Sequence, residues 1–228
     1  MSKLKGLLLT EGMHGMISQV EGLAKALDLD FTHEKIELNN FWKLIPPKFT
    51  PIKEFVFKNK INQNFDIVIS CGRKSVIPSI FLKKKFKNKI VNIHIQDPKV
   101  SLKNFDFIVT PEHDGLNGDN VLLTKGAIHY IRDSELNENE SYLKSRIDKK
   151  KIVSFIVGGP NKYYDFKENS INEIFLKLQK NFIDNGYQLI FIPSMRTPQR
   201  IIKKANDFFD NNQILIQEVD KKAYLSSL

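Results

Sequence analysis

Short apolar runs alternate along the chain with stretches whose apolar residues return every three or four positions, and polar turns, several carrying glycine, lie between them. The run 4–10 closes at Glu11-Gly12-Met13-His14-Gly15, after which Ile17, Val20, Leu23, Ala24 and Leu27 keep helical spacing. This predicts a strand, a loop and a helix. The same order returns at 65–70, where a buried strand leads through Cys71-Gly72-Arg73 into a helix bearing Val76, Ile80 and Phe81, with Pro78 in its first turn. Runs 90–95, 105–109 and 120–123 predict three further strands, ending at Gln96-Asp97-Pro98, Thr110-Pro111-Glu112-His113-Asp114 and Thr124-Lys125-Gly126. Segment 132–150 is charged and nearly strandless, which predicts a solvated helix or a linker. The pattern then restarts with strand 151–157, loop 158–164, helix 171–182, strand 188–192, helix 200–209, strand 214–217 and a last helical stretch at 222–225.

Strands alternating with helices imply βαβ crossovers and parallel sheets. The expected fold class is therefore α/β, with two Rossmann-like parallel-sheet units. An N-terminal domain covers 1–131, the charged helix or linker 132–150, and a C-terminal domain 151–228. The last has only three strands and reads as incomplete.

Composition narrows the function classes. No run approaches the roughly 18 apolar residues that span a bilayer, and the first ten residues lack the pattern of a signal peptide, so a cytoplasmic protein is expected. The single cysteine, Cys71, excludes an internal disulfide and a cysteine zinc cluster. The net charge is +9, yet only five of the 35 basic residues are arginine and the lysines are scattered among Asn, Ile and Phe. Reading phosphates and bases bidentately favours arginine, so no nucleic-acid partner is expected. The densest cluster, Lys83-Lys84-Lys85 with Lys87 and Lys89, follows an apolar helix and solvates its end.

Ligands of open parallel sheets bind outside the carboxyl ends of the strands, which directs attention to the loops. Gly158-Gly159 allows close backbone approach to a ligand at a helix start, and Asn161 is placed to orient it; an ordinary tight turn explains the pair as well. The spacing is not the Gly-x-Gly-x-x-Gly of a dinucleotide site. Ser194-Met195-Arg196-Thr197 offers two hydroxyls and a guanidinium before a proline-started helix, a set suited to phosphate, against the plainer reading of a helix cap with a surface arginine. Consecutive strands of a βαβ unit are usually neighbours, so the two loops are expected side by side. In the first unit His113 and Asp114 are the acid/base candidates, since a carboxylate beside an imidazole orients it. His14, Asp97 and Glu11 occupy equivalent loops and remain alternatives. No Gly-x-Ser-x-Gly elbow occurs, Cys71 has no base partner in sequence, and the histidines lack metal-ligand spacing, so neither a metal nor another cofactor is expected.

The ordered set Gly12, Gly15, Gln19, Gly22-Leu23-Ala24, Gly72-Arg73, Gln96-Asp97-Pro98, Pro111 with His113-Asp114, Thr124-Lys125-Gly126, Gly158-Gly159 and Ser194-x-Arg196-Thr197-Pro198 resembles the mitochondrial-fission "elongated mitochondria" family of bacteria and plants. The resemblance spans nearly the whole chain. It implies a glycosyltransferase-B-like arrangement, in which the second domain holds a nucleotide sugar and the first an acceptor. On that analogy Gly158, Gly159, Asn161, Ser194, Arg196 and Thr197 face the donor. His113 or Asp114 deprotonates the acceptor, and Gly12, His14, Gly15, Gln19, Gly72, Arg73, Gln96, Asp97, Thr124 and Gly126 line the acceptor side. The expected partners are a nucleotide sugar and a membrane-associated, cell-envelope acceptor, met peripherally at the inner membrane. Adaptor members of the family imply the alternative of a non-catalytic binding protein. The family pattern runs on beyond Leu228 with a nucleotide-gripping strand and loop, so a fragment of a longer protein is expected. A His after Gly15, rather than before it as in His14, is the commoner pattern.

Overall fold

A computed structural model describes residues 3–61, 64–149, 151–160 and 165–228. The chain divides into two compact units, Met1–Tyr130 and Ile131–Leu228.

The first unit contains β1 (Lys5–Thr10), α1 (His14–Ala26), β2 (Asp30–Lys35), β3 (Ile67–Cys71), α2 (Val76–Phe86), β4 (Val91–Ile95), β5 (Phe107–Pro111) and β6 (Val121–Thr124). The strands form one sheet in the order β2-β1-β3-β4-β5-β6, every pairing parallel. Both faces are covered, which is why the inner strands read as continuous apolar runs. Leu7, Leu9, Val68 and Ile108 pack on one face with Val76, Ile77 and Ile80 of α2. Leu8, Ile69, Ile93 and Val109 pack on the other with Val20 and Ala24 of α1. Strand β2 was not expected from the apolar pattern. It is one of the two edge strands, its sequence Asp-Phe-Thr-His-Glu-Lys is largely solvent-facing, and a half-exposed edge needs no apolar run.

Two features tie the ends of this unit together. A Cβ on Gly22 of α1 would stand 2.7 Å from the His129 carbonyl oxygen, so the absent side chain lets segment 128–129 cross the helix in contact. The ammonium of Lys25 then lies 4.3 Å from the centre of the Tyr130 ring.

The second unit contains α3 (Asp133–Asn139), β7 (Lys151–Val157), α4 (Glu168–Asn181), β8 (Tyr187–Pro193), α5 (Gln199–Phe208), β9 (Ile214–Leu215) and α6 (Lys221–Ser226). Its three strands are parallel in the order β7-β8-β9. Leu189 and Phe191 pack with Ile171 and Phe175 of α4 and Ile201 and Ala205 of α5. The opposite face joins Ile190, Ile192 and Ile214 to Ala223 of α6 and to Leu143. Within the charged stretch after residue 131, α3 has no buried residue, whereas Leu143 is a core residue and buried Gln188 accepts from the Asp148 N–H and donates to the Arg146 carbonyl. The low apolar content of the stretch hides this anchoring, which needs one leucine and a few backbone groups. No helix among the described residues is long and apolar enough to cross a membrane.

Candidate functional site

In the first unit β1 lies between β2 and β3, so the chain leaves β1 to one side and returns to its other side. The gap between the carboxyl ends of β1 and β3 is the switch point where such sheets take ligands. Gly12, His14 and Gly15 follow β1, and Gly72 and Arg73 follow β3. Gly12 and Gly72 both have positive φ, at 85° and 93°, and Gly72 is further hemmed by the Met16 sulfur, 2.6 Å from where a Cβ would be. Glu11 bridges the two loops: its carboxylate accepts from the Lys74 N–H at 2.9 Å and pairs with the Lys74 ammonium at 2.8 Å. Lys74 is a residue that sequence reasoning missed, although its place after Gly72-Arg73 is the available signal. The Arg73 guanidinium donates to the Lys43 carbonyl and so holds down the β2–β3 connection. His14 is exposed at the start of α1, and Gln19 lies further along it, its amide oxygen 4.0 Å from the Cys71 sulfur. Burial first, then the Glu11 charge, pushes the Cys71 thiol up to about 12, which leaves it a protonated core residue.

The remaining first-unit candidates share that carboxyl edge. Gln96 has φ of 81°, and its N–H is spent on the Val109 carbonyl. Burial pushes the Asp97 carboxyl up, but the Lys99 ammonium at 2.5 Å and N–H at 2.8 Å more than offset this and hold it below the usual range. Asp114 accepts from the Thr110 hydroxyl at 2.7 Å, and His113 Nε2 lies 3.7 Å from its other oxygen. Thr110 thus orients the carboxylate of the His-Asp pair, a role that the spacing Thr110 to Asp114 leaves visible in sequence. The imidazole itself is 74% exposed, so no packing fixes its direction. The Thr124 hydroxyl donates to the Gly126 carbonyl and closes the turn after β6.

The buried histidine of this unit lies below the rim. His94 is fully buried on β4, its Nδ1 is 2.8 Å from the Ser70 hydroxyl, and its Nε2 has no partner among the described residues. Burial pushes its pKa down to about 3 against the opposing pull of Asp97. A cavity of about 420 Å³ in this unit lies at the opposite, amino edge of the sheet, beside Lys5, Asp66 and Lys89, away from all the predicted residues.

In the second unit the two glycine- and hydroxyl-bearing loops do lie together. A Cβ on Gly159 would overlap the backbone carbonyl of Arg196, whereas one on Gly158 would meet nothing within 4 Å among the described residues. The Thr197 hydroxyl accepts from the Ser194 N–H at 2.8 Å and stands 2.6 and 2.9 Å from the carbonyls of Val157 and Gly158. It is a latch between the loops, spent on protein groups. The Ser194 hydroxyl accepts from the Arg196 N–H at 3.3 Å. The Arg196 side chain is exposed, and α5 begins just beyond, at Gln199, without a side-chain cap. Among the described residues, the first helix after Gly158-Gly159 is α4, which begins at Glu168. Asn161 lies outside the described residues. Among the described residues no group of three or more His, Cys, Asp or Glu side chains is placed to hold a metal ion.

Comparison with known proteins places the chain. An uncharacterized protein, RP120, of Rickettsia prowazekii (strain Madrid E) is 27% identical over 167 residues, covering 59% of this chain and 47% of that protein. A DNA polymerase of Ostreid herpesvirus 1 (isolate France) is 27% identical over 113 residues, covering 49% of this chain and 6% of the polymerase. The chain thus matches about half or less of the length of these relatives. A solved structure, LsrB from Clostridium saccharobutylicum in complex with AI-2, aligns over 92% of this chain and 69% of its own at 11% identity, with a TM-score of 0.34, too distant to carry an argument. The model of the family described as Mitochondrial fission ELM1 matches residues 14–228, and the chain belongs to that family.

Proposed function

We propose that the chain is a metal-independent, glycosyltransferase-B-like protein that transfers sugar from a nucleotide-sugar donor to a cell-envelope acceptor. The observation that carries this reading is the loop pair of the second unit. Thr197 latches Ser194–Thr197 against Gly158-Gly159, leaving an exposed guanidinium beside the uncapped start of α5. A planar cation beside unpaired N–H groups is a setting for a diphosphate. Sugar transfer itself is carried over from the family resemblance.

On this reading Arg196 and backbone N–H groups neutralise the diphosphate as the bond from anomeric carbon to phosphate oxygen breaks. Asp114, aimed by Thr110, with His113 is the candidate general base for an acceptor hydroxyl held by the first unit. Calorimetry with a panel of nucleotide sugars is the test. Binding is expected, and Arg196→Ala should weaken it by about 1.5–3 kcal/mol, the worth of a charged hydrogen bond. Unchanged affinity removes Arg196 from the site, and no binding to any donor sinks the proposal. The 3.7 Å His113–Asp114 separation and the exposure of the imidazole favour a second reading, a donor-binding protein without transfer. Binding without product release or glycosylated acceptor selects it.

A further inference from the structure

The connection between β2 and β3 is a closed excursion. An antiparallel bridge joins Leu38 to Phe57, with the Asn39 N–H donating to the Val56 carbonyl and the Lys58 N–H to the Glu37 carbonyl. Its base is core: Val56 and Phe57 are 0% and 5% exposed. Its tip is the reverse. Phe41, Leu44, Phe49 and Phe55 are 64%, 80%, 71% and 59% exposed. Two of them, Phe41 and Phe55, gather on Trp42. Phe41 packs edge-on against Trp42 at 4.8 Å, Trp42 lies 6.0 Å from Phe55, and the Leu44 N–H donates to the Phe41 carbonyl. Single exposed apolar residues are ordinary; several large ones gathered on one loop mark a contact surface.

Charge identifies the contact. Lys43, Lys48 and Lys53 alternate with these side chains, and the acid among them, Glu54, has Lys85 3.8 Å away. Aromatic and aliphatic tips between lysines, whose stems lie along apolar surface while their heads stay in water, form the pattern of an interfacial anchor. A two-fold contact with a second copy would set lysine against lysine, whereas an anionic headgroup layer pairs them. We propose that excursion 39–57 is a docking surface for an anionic lipid bilayer. The loop is tied to the carboxyl edge of the sheet, because Arg73 after β3 donates to the Lys43 carbonyl. The proposal stands whether or not the protein transfers sugar.

Trp42 is the one tryptophan of the chain and reports directly on the patch. The full chain is mixed with vesicles of phosphatidylcholine alone and of phosphatidylcholine with phosphatidylglycerol, and binding is read by flotation. Binding to the anionic vesicles is expected, with a blue shift of Trp42 emission and quenching by lipids brominated on the acyl chain. Each of Lys43→Gln, Lys48→Gln and Lys53→Gln should lower partition about fivefold, and the triple variant on the order of a hundredfold. Phe41→Ser with Phe55→Ser should lower it at least tenfold. Phe41, Lys48, Lys53 and Phe55 are exposed and Lys43 is half-buried, and near-UV dichroism checks that the variants stay folded; the bromolipid result on the unaltered chain needs no variant. The proposal is overturned by equal partition to both vesicles, or by binding that leaves Trp42 emission unshifted. Partition indifferent to these substitutions overturns it too. A dimer in light scattering that Phe41→Ser dissolves, or capture of Trp42 by single-stranded DNA in preference to vesicles, overturns it in favour of those partners.

Discussion

Adjacent glycines in the loop after β7 offer a paired test of how the two loops of the second unit are joined. Neither Gly158 nor Gly159 has positive φ among the described backbone, so added strain from a left-handed conformation is absent from both. Only the space differs. At Gly159 a Cβ overlaps the Arg196 carbonyl oxygen and carbon, which are backbone and cannot swing aside; at Gly158 no described residue lies within 4 Å. Gly159→Ala must therefore push Ser194–Thr197 outward and stretch the Thr197 bonds to Val157 and Gly158. Overpacking of this kind costs about 1–3 kcal/mol. Gly158→Ala meets no obstacle and loses unfolded-state freedom, so it is expected to be neutral or to stabilise by about 0.4–1 kcal/mol. The readout is hydrogen exchange of peptides covering β7 and β8, since Trp42 fluorescence reports on the first unit. Faster exchange for Gly159→Ala and unchanged or slower exchange for Gly158→Ala is the expected pair. Equal behaviour of the two variants would show that the loops do not touch and would remove the basis of the proposed diphosphate site.

Thr197→Val should cost about 0.5–1.5 kcal/mol, because the hydroxyl that ties Ser194 to the Val157 and Gly158 carbonyls is lost, although the Ser194 N–H and the Val157 carbonyl keep each other at 3.0 Å; Thr197→Ser, which keeps the hydroxyl, should recover most of it in urea unfolding. His94 is neutral in the folded state down to about pH 3, whereas in the unfolded chain it takes a proton near pH 6.5. The unfolded state then binds more protons between those values, so stability falls as pH drops below 6.5, by about 2 kcal/mol from pH 7 to pH 5. His94→Phe leaves Ser70 bonded to the Ile93 carbonyl and should flatten that part of the profile; an equally steep variant profile contradicts the assignment. Asp220 caps α6 through the N–H groups of Lys222 and Ala223 at 2.9 and 3.0 Å and accepts from the Tyr142 hydroxyl, so Asp220→Ala should cost about 0.5–2 kcal/mol. Burial raises its pKa, but these donors outweigh burial and depress it, so the charge-dependent part of this stability is present above pH 3.8 and lost as pH falls through the lower folded value. Thermal unfolding across that range checks it.

Which features were legible in the sequence follows from whether they are set by local pattern or by approach in space. Inner parallel strands are covered on both faces and must be apolar throughout, so β1, β3, β4, β5 and β8 show directly as runs, and β7, an edge strand of the second sheet, shows because its own sequence is mostly apolar. The polar edge strand β2 does not. Candidate residues could be gathered on the loops because strand direction alone sends Gly12, Gly72, Asp97 and His113 to one edge. Nothing local could say that Arg73 would be spent on Lys43, that Thr197 would be a latch, or that Gly22 exists to let His129 cross α1.

The excursion 39–57 makes the distinction sharpest. Phe41, Phe49, Phe55 and Phe57 are the same residue type within one short segment, and a pattern of apolar positions treats them alike. The Leu38–Phe57 bridge sets Phe57 into the core, while Phe41, Phe49 and Phe55 between its ends stay exposed. Burying a phenylalanine is worth about 1.5–3 kcal/mol, so a fold that leaves three outside forgoes a sum comparable to its own net stability. An anionic bilayer returns that free energy on contact and uses the lysines between them, which makes the exposed loop intelligible as a surface waiting for a partner and unintelligible as part of an isolated globule.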